Sequence, residues 1–204
     1  MLRRRPLSAV GLGVRPAEVE PHAPPSDARV HLRVLARADR DEFLALARDS
    51  RNLHRPWTYP PERSDQFDEL YSRSRREDFL CLLACDIETG AITGIFTISQ
   101  IVRGAFQSAY LGYYAHEKYA GQGLMGEALE QVLDHAFRLL GLHRIEANIQ
   151  PGNAPSIALA RGAGFRLEGF SPRYLLIGGR WRDHERYAIT ADEHAAAKAA
   201  SEAA

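Results

Sequence analysis

The residues with the clearest chemical purpose lie between positions 111 and 129. There the chain reads Leu-Gly-Tyr-Tyr-Ala-His-Glu-Lys-Tyr-Ala-Gly-Gln-Gly-Leu-Met-Gly-Glu-Ala-Leu. An apolar strand runs into a short polar turn, then Gly121, Gly123 and Gly126, then a helical pattern. Glycines at that point let the backbone approach a ligand closely and turn several N–H groups outward. The first turn of the following helix adds its own unpaired donors and the positive end of its dipole. Both features favour a phosphate, so the segment predicts a site for a pyrophosphate-bearing ligand.

Gly121 to Gly126 spells G-x-G-x-x-G, and Glu146 lies twenty residues beyond Gly126. In a dinucleotide fold the first glycine directly ends the first strand of a parallel βαβ unit. Here about five residues separate Ala115 from Gly121, three strands in hairpin succession come first, and Glu146 sits inside a strand. No G-x-x-x-x-G-K-[ST] occurs either. A nicotinamide oxidoreductase and a nucleotide triphosphatase are both set aside.

The elements that must position this loop are legible from periodicity. Val30–Leu35 alternates as a half-buried strand, and Asp39–Arg48 reads as a short amphipathic helix. Asn52–Pro61 is a Pro-bounded loop carrying Trp57 and Tyr59, and Ser64–Arg76 looks helical with Ser64 as its N-cap. Strands over Phe79–Ile87, Ile92–Val102 and Phe106–Ala115 are joined by short turns, so they are antiparallel neighbours. The helix over Leu124–Leu140 ends at Gly141, and His143–Ile149 is a strand parallel to the one ending at Ala115. Asn153 caps a helix closing at Gly164, with Pro155 in its first turn. Phe165–Phe170 and Trp181–Ile189 are the last strands, with Gly178-Gly179 turning a hairpin. The fold class is therefore α/β (α+β): a mixed, mostly antiparallel sheet with one parallel pair joined by a crossover helix. Residues 1–28, rich in proline and arginine, are expected to be a disordered extension. Residues 29–191 form the domain, and 192–204 an alanine-rich tail.

Composition narrows the partners. The 204 residues hold 26 Lys plus Arg against 26 Asp plus Glu, so no global field draws in nucleic acid or an anionic membrane. No apolar run approaches the ~18 residues of a membrane span, and the first fourteen residues lack a signal-peptide cleavage pattern. Cys81 and Cys85, four apart in a strand, lie about 13 Å from each other, too far for a disulfide. With no second pair to complete a metal site, a cytoplasmic, metal-free protein is expected.

The arrangement resembles the GNAT superfamily of N-acetyltransferases. Its usual loop, Gln/Arg-x-x-Gly-x-Gly/Ala, reads here Ala120-Gly-Gln-Gly123-Leu-Met125, departing at its first and last positions. Gln-Gly-Leu-Met-x-Glu-Ala-Leu is similar to the RimJ/RimL type, the ribosomal-protein alanine N-acetyltransferases. So are Val102-Arg-Gly104 with Tyr110-Leu-Gly-Tyr113, and His143-Arg-Ile145 with Asn148. Asn153-x-x-Ser156 with Gly164-Phe165, and Tyr174-Leu-Leu-Ile-x-Gly-x-Trp-Arg-Asp-His184, complete the likeness over residues 30–190.

That resemblance implies acetyl-CoA as cosubstrate. The backbone of Tyr113, Tyr114 and Ala115 would contact the pantetheine arm. Gly121, Gln122, Gly123, Leu124, Met125 and Gly126 would hold the pyrophosphate, with Asn148 and Asn153 as further coenzyme contacts. The tyrosine that many superfamily members place five residues before the Gly-Phe phenylalanine is Ala160 here. The RimL branch assigns the leaving-group role to the serine of Asn-x-x-Ser, which is Ser156; a first-turn serine is otherwise an ordinary cap. Glu117 matches an acidic residue of related sequences and is the candidate base, though a solvated loop glutamate is the simpler reading. Trp57, Tyr59 and Tyr174 are candidates for acceptor recognition, or else semi-buried packing residues. His184 and Asp183 read as structural. The expected reaction is direct acetyl transfer to the α-amine of a (ribosomal) protein N-terminus. A small amine acceptor (aminoglycoside, polyamine or amino acid) and a non-catalytic CoA-binding module are the alternatives.

Overall fold

The Phe79–Asp86 strand is apolar at nearly every position, which for a strand means cover on both faces. The computed structural model, which describes residues 15–203, shows how that cover arises. Seven strands form one sheet in the order β1-β2-β3-β4-β5-β7-β6, where β1 is Val30–Val34, β2 Phe79–Asp86, β3 Ile92–Val102 and β4 Ser108–Ala115. The remaining strands are β5 (Arg144–Ile149), β6 (Arg166–Ile177) and β7 (Arg180–Thr190). Every neighbouring pair is antiparallel except β4 and β5.

Alternation along β2 splits the core in two. Leu80, Leu82 and Ala84 join the cluster under helix α4 (Leu124–Asp134), which contributes Ala128, Leu129, Val132 and Leu133. Phe79, Cys81, Leu83 and Cys85 face the other way, onto Phe43 and Leu46 of α1 (Arg40–Asp49) and Phe67 of α3 (Ser64–Arg73). Both cysteines are free and buried, and burial pushes the Cys81 thiol up to about 12, so it is an inert core residue. Each buried leucine in these layers contributes about 2 kcal/mol from area alone.

The pairing of β4 with β5 covers only Ser108 to Tyr110 against Arg144 to Glu146. Beyond Tyr110 the two strands are no longer paired. Helix α5 (Ala154–Gly162) follows β5, with Asn153 Oδ1 accepting from the Ser156 N–H at 3.3 Å and proline near its start, as the sequence implied. The α4 helix continues through a wider turn over His135–Leu139, in which the Leu140 N–H donates to the His135 carbonyl. No helix among the described residues is long and apolar enough to cross a membrane.

Several expectations need correction. Arg63, not Ser64, precedes the first turn of α3, and the Gln66 side chain accepts from its N–H at 3.2 Å. The loop from Asn52 opens inside a short helix, α2 (Arg51–His54). Strand β6 runs seven residues past Phe170, because β7 pairs with it again from Leu175 to Ile177. Residues 1–14 of the extension lie outside the described residues. The stretch after them is not independent of the domain, since Ala17 is buried and joins the core cluster on the α4 side of the sheet, packing against β2. The alanine-rich tail is helix α6 (Ala191–Glu202), opened by a Thr190–Glu193 capping box. It docks on α4: His194 packs on the Phe137 ring and lies 3.2 Å from Asp134, which also pairs with Lys198. The apolar stripe missing from its sequence is replaced by this charged anchor.

Candidate active site

Gly121 and Gly123 have φ of +76° and +81°, a left-handed backbone that other residues reach only with strain. Gly123 is the N-cap of α4, and no side chain caps that end. Gly126 and Glu127 donate back to its carbonyl, leaving the N–H groups before them without an intrahelical partner. Unpartnered first-turn N–H groups of this kind can receive an anion.

A cleft of about 870 Å³ opens over this loop. Tyr113, Tyr114 and Ala115 line it from β4, and Gly121, Gly123, Met125 and Gly126 from the loop and α4. Asn153 and Ser156 line it from α5, and His54 and Trp57 from the other side. A second cleft of about 500 Å³ lies in the same splay of the sheet, lined by Asn148 and Gln150 beside β5, Tyr174 from β6 and His184 from β7. The two share Trp57, Thr58, Tyr113, Tyr114, Asn153 and Ser156. Where β4 and β5 part, the cleft over the glycine loop and the second chamber therefore adjoin.

The sequence of residues 29–166 matches the family described as Acetyltransferase (GNAT) domain. The chain belongs to the GNAT acetyltransferase family. Like its family it transfers an acetyl group from acetyl-CoA to an amine. One GNAT relative, the "Probable N-acetyltransferase YjcK" of Bacillus subtilis, is 32% identical over 171 residues, 78% of this chain and 93% of that one. The ribosomal protein uS5-alanine N-acetyltransferase of Escherichia coli is 43% identical over 105 residues, about half of each protein (52% and 54%). Among solved GNAT structures, Mycobacterium smegmatis RimJ in complex with CoA-disulfide aligns with a TM-score of 0.74 and 32% identity, covering 80% of this chain and 83% of that one.

At the junction of the two clefts of this GNAT domain, the Tyr113 hydroxyl lies 2.8 Å from Ser156 Oγ and donates to the Ser156 carbonyl at 3.0 Å. Burial pushes the Tyr113 phenol up to about 12, with the serine hydrogen bond opposing, so it stays protonated at neutral pH. Sequence reasoning assigned Tyr113 only a backbone role. Its alternation with Tyr114 puts the two side chains on opposite sheet faces, and that was the available signal. Tyr114 turns to the other core, edge-on to Phe43 and His54. His54 Nε2 is 2.8 Å from the Ala115 carbonyl, and burial lowers its pKa, so the neutral ring donates there and holds the end of β4.

The second chamber is shaped by two devices. Trp57 is fixed by the Gln150 side chain, which donates to its carbonyl at 3.0 Å, and by the bare Cα of Gly152, where a Cβ would come 3.0 Å from the indole. The register of β6 against β7 shifts between Ser171 and Leu175, Arg173 takes φ +49°, and its N–H donates to Asp183 at 2.7 Å. That bulge carries Tyr174 onto the chamber wall, edge-on to His184 at 6.0 Å. His184 Nδ1 lies 3.0 Å from the Arg182 carbonyl, and burial lowers its pKa. The neutral ring thus donates through Nδ1 and leaves Nε2 as a lone pair, a feature the sequence did not single out.

Not every candidate is brought together. Glu117 is exposed and lines neither cleft; its N–H donates to Ser50 instead, so a base at that position is not in place. Tyr59 is 47% exposed and packs on Gly178 of the β6–β7 turn rather than over the clefts. Gln122 points out, donating to the Lys118 carbonyl, and Leu124 is turned into the core. Asn148 lines the second chamber, away from the glycine loop.

Proposed function

We propose that this acetyltransferase acts on the α-amine of a protein N-terminus, by direct transfer while both substrates are bound. One feature carries the acceptor assignment. Among the described residues, no Asp, Glu, Lys or Arg lines the second chamber; its wall is aliphatic side chains, aromatic rings, amides and hydroxyls, with His184 its one imidazole. A polyamine or aminoglycoside brings several charges, and burying them without carboxylate partners costs several kcal/mol each. An extended peptide beginning with small neutral residues brings one amine and backbone groups that amides can satisfy. The uS5-alanine acetylation named for the Escherichia coli relative fits the same chemistry.

In this reading Gly121, Gly123 and the first turn of α4 hold the diphosphate, and the unpaired edge of β4 at Tyr113–Ala115 takes the pantetheine arm. Acetyl-CoA supplies an activated acyl carbon: the C–N bond forms as the C–S bond breaks. Ser156 and Tyr113 stand where the sulfur anion develops. A thiol titrates near ~8.5 whereas the buried phenol sits near 12, so full proton transfer from Tyr113 is uphill. The hydroxyl pair therefore stabilises the thiolate by hydrogen bonding, and its proton comes from solvent. The attacking amine needs little help. An α-amine near ~7.8 is over a tenth neutral at pH 7, and the His184 lone pair takes the released proton through water. Trp57 and Tyr174 bracket the peptide.

The test is incubation with labelled acetyl-CoA and a panel of alanine- and serine-started peptides, spermidine, an aminoglycoside and free amino acids. N-terminal labelling of a peptide is the expected result. Label on free amines alone would overturn the acceptor assignment, and coenzyme binding without any transfer would point to a regulatory module.

A further inference from the structure

The loop that is to hold a diphosphate has a weakness. The peptide between Gln122 and Gly123 is followed by a glycine that tolerates almost any φ, so it can flip and present its carbonyl oxygen to the anion. Glu127, in the first turn of α4, adds a carboxylate to the wall of the same cleft. One residue answers both problems. Arg29, just before β1, donates through Nε to Glu127 Oε2 at 3.0 Å and through Nη1 to the Gln122 carbonyl at 3.1 Å. Its own N–H and that of Val30 both donate to Glu127 Oε1, which fixes the carboxylate in turn. Its Nη2 lies 3.3 Å from where a Cβ of Gly123 would stand.

In a trans peptide the C=O and the next N–H point in opposite directions. Arg29 does not line the cleft, whereas Gly121 and Gly123 do. Drawing the Gln122 carbonyl onto Arg29 therefore turns the Gly123 N–H the other way, to the cleft side. We propose that Arg29, held by Glu127, is a positioning residue that locks this peptide so that the Gly123 N–H faces the coenzyme diphosphate, and that it neutralises the carboxylate beside it. The proposal rests on the reading of Gly121 to Gly126 as the diphosphate cradle.

Binding of CoA and of pantetheine, which lacks the diphosphate and nucleotide, tests it by displacement of a fluorescent CoA conjugate from the full chain. Wild type should bind CoA far more tightly than pantetheine. Arg29→Gln should weaken CoA about tenfold, the value of one charge-assisted hydrogen bond, and leave pantetheine within about twofold. Arg29→Lys keeps the charge but not the planar fork that reaches both acceptors, so it should weaken CoA by a similar factor. If Arg29→Gln does not fold, the lysine variant carries the test alone. Wild-type affinity for CoA in either folded variant, or equal weakening of both ligands, overturns the clamp. Equal wild-type affinity for CoA and pantetheine would instead refute the cradle itself.

Discussion

The phenolic oxygen of Tyr113 on β4 and the hydroxyl of Ser156 on α5 stand 2.8 Å apart, and both residues line both clefts. Two elements on either side of the splayed strands are thus joined by a hydrogen bond at the proposed reaction centre. Because Tyr113 also donates to the Ser156 carbonyl, the serine proton can rest on the phenol oxygen or rotate toward the cleft.

If this pair stabilises the leaving thiolate, Tyr113→Phe and Ser156→Ala should each lower kcat by about ten- to a hundredfold, while CoA affinity stays within about threefold. The double variant should lose little more than either single one, since both act on one charge. Steady-state kinetics with calorimetric CoA binding decides it, and an unaltered rate in Ser156→Ala would reduce that serine to a helix-cap partner of Asn153.

Gly123→Glu should abolish measurable CoA binding, by setting a carboxylate where the diphosphate is proposed to lie. Gly123→Ala separates charge from backbone strain, because φ +81° costs an L-residue about 1–2 kcal/mol. It should lower the unfolding midpoint while retaining affinity better than the glutamate. Undiminished affinity in folded Gly123→Glu would remove the phosphate-loop assignment.

The acceptor leaves a mark on the pH profile. With an α-amine substrate, kcat/KM should climb from pH 6 and level off near pH ~8, where that amine is deprotonated. A lysine-like amine would keep the profile rising past pH 9. Replacing His184 with Gln should lower kcat/KM across the plateau and leave CoA affinity intact, if its lone pair accepts the amine proton.

His135 is buried with neither ring nitrogen bonded to any described group, and burial depresses its pKa to about 4. An unfolded histidine titrates near ~6.5, so between pH 6.5 and 4 the unfolded chain binds the extra proton. Stability then falls with decreasing pH, by up to about 3 kcal/mol across that window. His135→Leu should flatten this dependence and raise stability at pH 5, measured by urea unfolding at pH 5 and pH 7.5. An unchanged pH dependence would show that other groups govern acid sensitivity.

Deleting α6 by stopping the chain after Thr190 should uncover Phe137 and take His194 and Lys198 away from Asp134, leaving it Arg138 at 4.0 Å. A loss of about 2–4 kcal/mol is expected from the exposed ring and the lost hydrogen bonds together. His194→Ala alone should produce about half of that loss, read as a shift in the unfolding midpoint. No shift in either would return the last residues to the status of a tail.

Local chemistry made much of this protein readable from its sequence. Glycine spacing announced the close-turning loop at Gly121 and Gly123, Asn153 announced a cap, and the apolar run around Cys81 and Cys85 announced a strand. Each depends on residues near one another in the chain. What the sequence could not reveal depends on partners far away. The docking of α6 needs Asp134, 60 residues before His194. Tyr174 reaches the chamber only because Asp183 on the neighbouring strand stitches a bulge. Tyr113 meets Ser156 only because β4 and β5 stop pairing after Tyr110, which opens the sheet. Glu117 matched a motif position, yet the turn it sits on points its side chain to water. Periodicity and spacing determine which face a residue takes; only the packing of strands and helices decides what that face meets.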